Sequence, residues 1–334
     1  MKRVIEIKDL KREFKVPKKL ENPTKWKKFK SNFVRKWVTK HALKGISFNV
    51  DQGEFIGYVG SNGSGKTTTI KILTGIMNPT SGYVKVLGFN PNKDRYEYTY
   101  NIGVTFGQRS LLSFDIPVIE SLKLYRDIYE LDKKHFEKRL KKFSKMLKLD
   151  EFLEKPVRKL SLGERMRCEI AASLLHNPKI VFLDEPTIGL DAVAKEEIRK
   201  FLREMNEKQK VTVMLTTHDM EDIEELCKRI VFIHEGEIIY DGPLDKLKKR
   251  YMTWKRVEFD FKGVFSKPKA AALLKKVKVI HKGKDRIEIR VDLKKQKIRS
   301  IIDGVLNAYD IVDLSIHEPK LETIVRQIYK ERTK

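Results

Sequence analysis

Gly60-Ser61-Asn62-Gly63-Ser64-Gly65-Lys66-Thr67-Thr68 is the stretch that decides the reading of this chain. An apolar run, Phe55-Ile56-Gly57-Tyr58-Val59, precedes it, and Ile70, Ile72 and Leu73 follow in a helical pattern. Strand, glycine-rich loop and helix in this order are the setting a phosphate-binding loop requires. Glycines let the backbone curl so that successive N–H groups point at phosphate oxygens. The helix that follows adds the positive end of its dipole. In such a loop Lys66 reaches the β- and γ-phosphates of a nucleotide such as ATP, and the Thr67 hydroxyl ligates Mg²⁺. The competing reading is a glycine-rich turn with an accidental Lys-Thr pair, and the flanking elements weigh against it.

A nucleotide loop alone leaves kinases, GTPases and motors open, and the later motifs choose among them. Ile180-Val181-Phe182-Leu183-Asp184-Glu185-Pro186-Thr187 is an apolar run ending in two carboxylates. Four consecutive large apolar residues suit a parallel strand buried on both faces. Asp184, at its carboxyl end, is placed to hold Mg²⁺ through water, and Glu185 to polarise an attacking water. Taken alone the pair could equally cap the next helix. Leu160-Ser161-Leu162-Gly163-Glu164-Arg165 opens the preceding helix. Gly189-Leu190-Asp191 follows the carboxylates, and a strand over 211–215 ends at Thr216-Thr217-His218-Asp219.

Together these motifs resemble the nucleotide-binding subunit of an ABC transporter, over roughly residues 1–245 and in the family's order. The resemblance implies a P-loop NTPase (ABC ATPase) α/β fold with a helical subdomain, and ATP and Mg²⁺ as cofactors. Gly60, Ser61, Asn62, Gly63, Ser64, Gly65, Lys66, Thr67 and Thr68 take the place of the Walker A loop. Gln108, in Thr105-Phe106-Gly107-Gln108, matches the glutamine that touches Mg²⁺ and senses the membrane partner. Ser161, Gly163 and Glu164 fall in the signature, Asp184 at the Walker B aspartate and Glu185 at the catalytic carboxylate. Asp191 matches the D-loop and His218 the switch histidine. Phe14 falls where the family stacks an aromatic on adenine, although it would serve equally as a strand-face core residue.

The signature departs from the family's common Leu-Ser-Gly-Gly-Gln, since Leu162 and Glu164 replace a glycine and the glutamine. A bulky residue is strained at positive φ, so Leu162 argues against that conformation. Ser161 and Gly163 retain a hydroxyl and a backbone N–H at a helix start, both suited to a γ-phosphate. The same residues also spell a capping box, with Ser161 at the N-cap and Glu164 three residues on. The two readings are compatible. The family's chemistry implies a head-to-tail pair, each subunit lending Ser161 and Gly163 to the other's ATP.

At 334 residues the chain has room for two domains. Its apolar runs are far shorter than the roughly 20 residues that cross a bilayer, and no secretory pattern opens it. The start, Met1 to Lys8, alternates charged and apolar residues like an edge strand. Cys168 and Cys227 are isolated, without metal-binding or disulfide spacing. The expectation is a soluble subunit acting at the cytoplasmic face of the membrane, driving separate transmembrane permease subunits.

The net charge of +25 is uneven: residues 15–40 hold ten Lys or Arg against Glu21 alone, and residues 251–334 hold 21 basic against 11 acidic residues. The first basic segment interrupts the family's path between Phe14 and the strand Ile46-Ser47-Phe48-Asn49-Val50. After Pro23-Thr24, the aromatics Trp26, Phe29, Phe33 and Trp37 recur every three or four residues, one stripe of a basic amphipathic helix. Such a helix suits a membrane surface or a partner over residues 24–40. Packing on its own domain is the plain alternative, and nucleic acid a minor third.

Asp241-Gly242-Pro243 reads as the turn that closes the ATPase domain. A short basic helix over 244–250 follows. Then come a strand over 257–261, a helix over 267–276, strands over 277–281 and 286–291, a helix over 295–306, a strand over 311–316 and a last helix after Pro319. This βαββαβ order predicts a small α+β ferredoxin-like C-terminal domain. The expected organisation is an ATPase domain over 1–245, carrying the insert 15–40 and a helical subdomain at about 110–165, and an accessory or dimerisation domain over 251–334. The leading function is the ATP-hydrolysing subunit of an exporter, working as a homodimer or with a related subunit. The alternative is a soluble ABC-type ATPase acting on nucleic acid. Only about fifty residues separate Gln108 from Ser161, which leaves no room for a coiled coil and weighs against chromosome-maintenance relatives.

Overall fold

The computed structural model describes residues 2–17, 37–107, 110–262 and 277–332. The chain divides into two compact units, Met1–Pro243 and Leu244–Lys334. In the first unit β1 (Arg3–Pro17) and β2 (Trp37–Asp51) are followed by β3 (Phe55–Gly60), α1 (Lys66–Leu73) and β4 (Ser81–Val86). Next come α2 (Arg95–Thr99), β5 (Ile102–Phe106), α3 (Val118–Ile128) and α4 (Lys133–Leu147). The unit ends with α5 (Leu162–Leu174), β6 (Ile180–Asp184), α6 (Ala192–Gln209), β7 (Thr212–Thr216), α7 (Met220–Leu226), β8 (Arg229–His234) and β9 (Glu237–Pro243).

Six strands form one sheet in the order β5-β6-β7-β3-β8-β9, parallel except for the β8–β9 pair. Ile180, Val181, Phe182 and Leu183 are fully buried, as a continuous apolar run in a doubly covered strand demands. Each such side chain contributes about 1.5–3 kcal/mol of burial. A second, antiparallel sheet runs β2-β1-β4. Ile5, Ile7, Leu10, Phe48 and Val84 from it share a core with Ile56, Tyr58, Ile70, Phe182 and Ile233. The rings of Phe48 and Tyr58 stack at 5.6 Å, and the Tyr58 hydroxyl bonds the Thr69 hydroxyl at 3.0 Å. In the helical part, Phe143 of α4 meets Phe201 of α6 edge to face at 5.1 Å.

Three local expectations change. β1 is the middle strand of its sheet, not an edge, because alternation reports one buried face and not the number of neighbours. Asp241-Gly242-Pro243 is the end of β9, paired with Arg229, Ile230 and Val231, not a turn. Proline is tolerated there because β9 is an edge strand. Trp37 begins β2 opposite Pro17 and is 57% exposed, so the aromatic stripe does not continue to it as a helix. Trp26, Phe29 and Phe33 lie outside the described residues.

The second unit comprises α8 (Leu244–Tyr251), β10 (Trp254–Phe261), β11 (Lys278–Lys282), β12 (Arg286–Asp292), α9 (Ile298–Leu306), β13 (Ile311–His317) and α10 (Leu321–Arg332). Its strands pair antiparallel in the order β11-β12-β10-β13, so β10 lies between the last two strands of the expected βαββαβ sequence. Val257, Phe259, Ile287, Ile289 and Val291 alternate onto one face and pack with Ile301 and Val305 of α9. The helix expected over 267–276 falls outside the described residues.

Candidate functional site

Sheet register assembles the site. Phe106, Asp184 and Thr216 are direct partners at the carboxyl ends of β5, β6 and β7. The loop 60–65 leaves β3 in the same sheet. Ligands of open α/β sheets bind at this carboxyl edge.

The loop is shaped by its neighbours. Gly65 has φ +114°, and a Cβ there would meet the Ala42 carbonyl oxygen at 2.8 Å and Leu43 Cδ2 at 2.7 Å. Gly65 is also the N-cap of α1, with no side-chain cap and no acidic residue in the first turn. The first amides of a helix lack intrahelical acceptors, and here no capping side chain claims them. Lys66 is nearly buried and folds back across the loop, donating from Nζ to the Gly60 carbonyl at 2.7 Å and the Ser61 carbonyl at 3.2 Å. Burial pulls its pKa below the usual lysine range, while the charges of Glu185 and Asp184 oppose that shift.

Asp184 is gripped from two sides. Thr216 Oγ1 donates to Oδ1, and Thr67 Oγ1 donates to Oδ2 at 3.2 Å. Glu185 sits at φ +56°, a left-handed conformation that costs a non-glycine residue about 1–3 kcal/mol. Its amide donates to the Thr216 carbonyl at 2.8 Å, while the Gly107 amide donates to the Asp184 carbonyl at 2.9 Å. These bonds lock β6 between its neighbours at the point where the strain sits. Glu185 Oε2 lies 3.3 Å from His218 Nδ1. A carboxylate beside an imidazole at the mouth of a phosphate loop can orient a water and accept its proton.

These groups line one cleft of about 1140 Å³. Gly60, Ser61, Asn62, Gly63, Gly65, Lys66, Thr67, Thr68, Asp184, Glu185 and His218 all border it. Ser64 does not; it is buried behind the loop, and its carbonyl accepts from the Gly236 amide at 2.9 Å. Phe14 lies on the cleft wall, half-buried, with the Arg12 guanidinium 4.7 Å from its ring. Gln108 is outside the described residues; Phe106 and Gly107 just before it line the cleft.

Ser161, Gly163, Glu164 and Asp191 do not border the cleft of their own chain. Ser161 caps α5, accepting from the Glu164 amide at 3.2 Å, while Glu164 Oε2 accepts from the Ser161 amide at 2.7 Å. That amide bond is the main cause of a Glu164 pKa below the usual carboxylate range. Leu162 opens α5 with an ordinary helical backbone. Gly163 packs tightly, since a Cβ would meet Ala194 Cβ at 3.2 Å. Asp191 caps α6, accepting from the Ala194 amide at 2.8 Å.

Several contributors were not singled out from sequence. Thr216 stood in a quoted motif, but its grip on Asp184 comes from strand register. Val16 and Lys40 also wall the cleft, Lys40 directly opposite Phe14 in the β1–β2 ladder. Both belong to the stretch read as an insert, where charge masked their ladder positions. Among the described residues no group of three or more His, Cys, Asp or Glu could hold a metal ion. Thr67 and Asp184 instead offer two adjacent hard oxygens, which suits Mg²⁺ that takes its other ligands from phosphate and water.

The family model described as ABC transporter matches residues 43–188. The ABC transporter ATP-binding protein NatA of Bacillus subtilis is 33% identical over 213 residues, which are 64% of this chain and 86% of NatA. The bacitracin transport ATP-binding protein BcrA of Bacillus licheniformis is 32% identical, over 66% of this chain and 71% of BcrA. Among solved structures, the ATP-binding cassette MJ0796 in a dimeric post-hydrolysis state with ADP and Pi is 27% identical, with a TM-score of 0.59. It covers 72% of this chain and 98% of that one. With a matching loop, carboxylate pair and sheet, the chain belongs to the ATP-binding subunits of ABC transporters, and it is an ATPase.

Proposed function

We propose that this chain powers a membrane exporter as one of two ATPase subunits that close head to tail around two ATP molecules. One observation carries the reading. The cleft gathers everything needed to hold and attack a nucleotide, whereas Ser161 and Gly163 of the same chain stand outside it. Completion therefore falls to a second subunit, whose Ser161 hydroxyl and Gly163 amide meet the γ-phosphate. Bound ATP then bridges the pair, and hydrolysis releases it. That cycle does work because ATP has different affinity for the open and closed arrangements.

Within one subunit, the loop amides and Lys66 bind the phosphates and Phe14 stacks on the base. Thr67 and Asp184 would hold Mg²⁺, with Gln108 as a further ligand. The ion would supply charge neutralisation at the phosphates. Glu185 orients water and receives its proton, and His218 fixes the Glu185 carboxylate and faces the γ-phosphate. Asp191 contacts the opposite subunit. Among the described residues no helix is long and apolar enough to cross a membrane, so the work passes to separate transmembrane permease subunits at the cytoplasmic face. The exporter reading is supported by the bacitracin transport role in BcrA's name, and the basic aromatic composition ahead of β2 suits a membrane surface. Replacing Trp26 and Phe33 with Ser should lower retention on anionic vesicles while leaving ATP turnover unchanged.

The test of the chemistry is Glu185→Gln. The amide preserves size and hydrogen bonding but cannot accept a proton, so turnover should fall about 10²- to 10⁴-fold. ATP binding should persist, and the variant should elute from size exclusion as an ATP-bound dimer. Turnover at the wild-type rate would remove Glu185 from the role of base.

A further inference from the structure

Glu185 and His218 leave different strands, yet one buried carboxylate touches the backbone segments that carry both. Asp222, in the first turns of α7, is completely buried. Its Oδ2 accepts hydrogen bonds from the Thr187 hydroxyl, two residues beyond Glu185, and from the Thr217 hydroxyl at 3.4 Å, one residue before His218. Its Oδ1 accepts from Arg199 Nε of α6 at 2.7 Å, and that guanidinium is buried as well. Arg199 reaches on to Glu221 at 3.2 Å. One turn earlier on the same face of α6, Lys195 pairs with Asp219, and one turn later Arg203 pairs with Glu225 at 2.9 Å. Lys195, Arg199 and Arg203 thus form an ionic seam between the helix capped by Asp191 and the helix that follows His218.

We propose that Asp222 is a positioning residue for hydrolysis, holding Glu185 and His218 in one geometry and tying both to α6. The inference rests on the roles given above to Glu185 and His218. Glu185 sits in a left-handed backbone conformation that its surroundings must enforce. Thr187 and Thr217 are both buried, so their hydroxyls have little access to water as an alternative partner. A buried carboxylate holding two hydroxyls and one guanidinium admits few arrangements. Through α6, which starts at Asp191, a shift at the subunit contact would reach the 3.3 Å pairing of Glu185 with His218.

Thr187→Val removes one hydroxyl from this arrangement at constant shape, and Thr187→Ser restores it. Steady-state ATP turnover of the full chain, ATP affinity and melting temperature are measured for both, with Glu185→Gln in parallel. Thr187→Val should lower kcat about 10-fold or more while KM and ATP affinity stay within about twofold, the signature of a misplaced reacting group. Thr187→Ser should keep at least about half of wild-type kcat, as expected where geometry and not bulk decides. Asp222→Asn, which also takes the buried carboxylate from Arg199 and leaves it only Glu221, should fall below Thr187→Val. Wild-type kcat in Thr187→Val overturns the proposal. So does a loss matched by an equal loss of ATP affinity or of folded protein, which marks a merely structural role. Turnover surviving in Glu185→Gln instead defeats the assignment of the base, and is seen independently of the Thr187 results.

Discussion

Two helix starts in this cassette are built from small and polar residues, and they handle their free amides in opposite ways. α1 begins at Gly65 with positive φ, no capping side chain and no acidic residue in its first turn. α5 begins at Ser161 with a complete capping box. The first leaves its donors to an anion and sits in the cleft; the second satisfies itself and stands outside the cleft. An anion site at a helix terminus requires both an open amide set and a wall around it, and sequence resemblance to such a site supplies neither. The Ser161 oxygen accepts from the Glu164 amide while its hydroxyl hydrogen stays free, so the cap can stay in place if that hydroxyl donates to a phosphate.

The hardest way to break the first half-site is Lys66→Ala. Its ammonium now rests on two carbonyls of the loop, so no new pocket has to form for it to meet phosphate. Charge-assisted hydrogen bonds contribute about 1.5–3 kcal/mol each, which predicts ATP affinity lower by about 10²- to 10³-fold. Calorimetric titration with Mg-ATP measures this directly. Affinity within a few-fold of wild type would mean that the loop amides alone carry the phosphate.

Ser161→Arg tests the second half-site without touching the first. Its own cleft is intact, so the variant should bind ATP with nearly wild-type affinity yet hydrolyse it slowly. Mixed with Lys66→Ala protein, it forms heterodimers in which one composite site lacks both Lys66 and the opposing serine while the other keeps both. Activity should return to a fraction of wild type in the mixture, although each parent alone is weak. A mixture no better than its parents, with heterodimers demonstrated by cross-linking, would place Ser161 outside the site altogether.

The same contrast explains what sequence could reveal. Gly60 to Thr68 and 180–185 are readable because their chemistry is local: a loop, a strand end and fixed neighbours. The capping box of Ser161 and Glu164 is equally local and is found as spelled. Thr216 beside Asp184 depends on parallel register, and Thr187 with Thr217 on Asp222 depends on two strands and a helix converging, which no spacing encodes. β1 shows the limit from another side. Its alternation of Ile5 and Ile7 with Glu6 and Lys8 marks a buried face but not the presence of strands on both flanks. Charge misled once as well: Val16, Trp37 and Lys40 belong to a β-ladder that the lysine-rich composition of 15–40 disguised.

The smallest effect sharpens the comparison most. Glu164→Gln keeps an acceptor for the Ser161 amide and removes only the charge, whereas Glu164→Ala removes the acceptor too. Loss of a cap typically costs about 0.5–2 kcal/mol, so Glu164→Ala should lower the melting point by a few degrees. The pH dependence follows from the sign of the shift. The folded pKa of Glu164 lies below its ordinary value, so the stabilisation is present above the unfolded carboxylate pKa, about 4.3, and disappears as pH falls through the folded value. The melting-point gap between wild type and Glu164→Gln should therefore be widest near neutrality and close in acid. The Ser161 hydroxyl accepts from the backbone amide of residue 164, which Glu164→Ala keeps, so this variant should also bind the partner's ATP no more weakly than wild type. Slower formation of the ATP-bound dimer in a Glu185→Gln background would instead show that Glu164 touches the nucleotide, and that the two helix starts are less different than their caps imply.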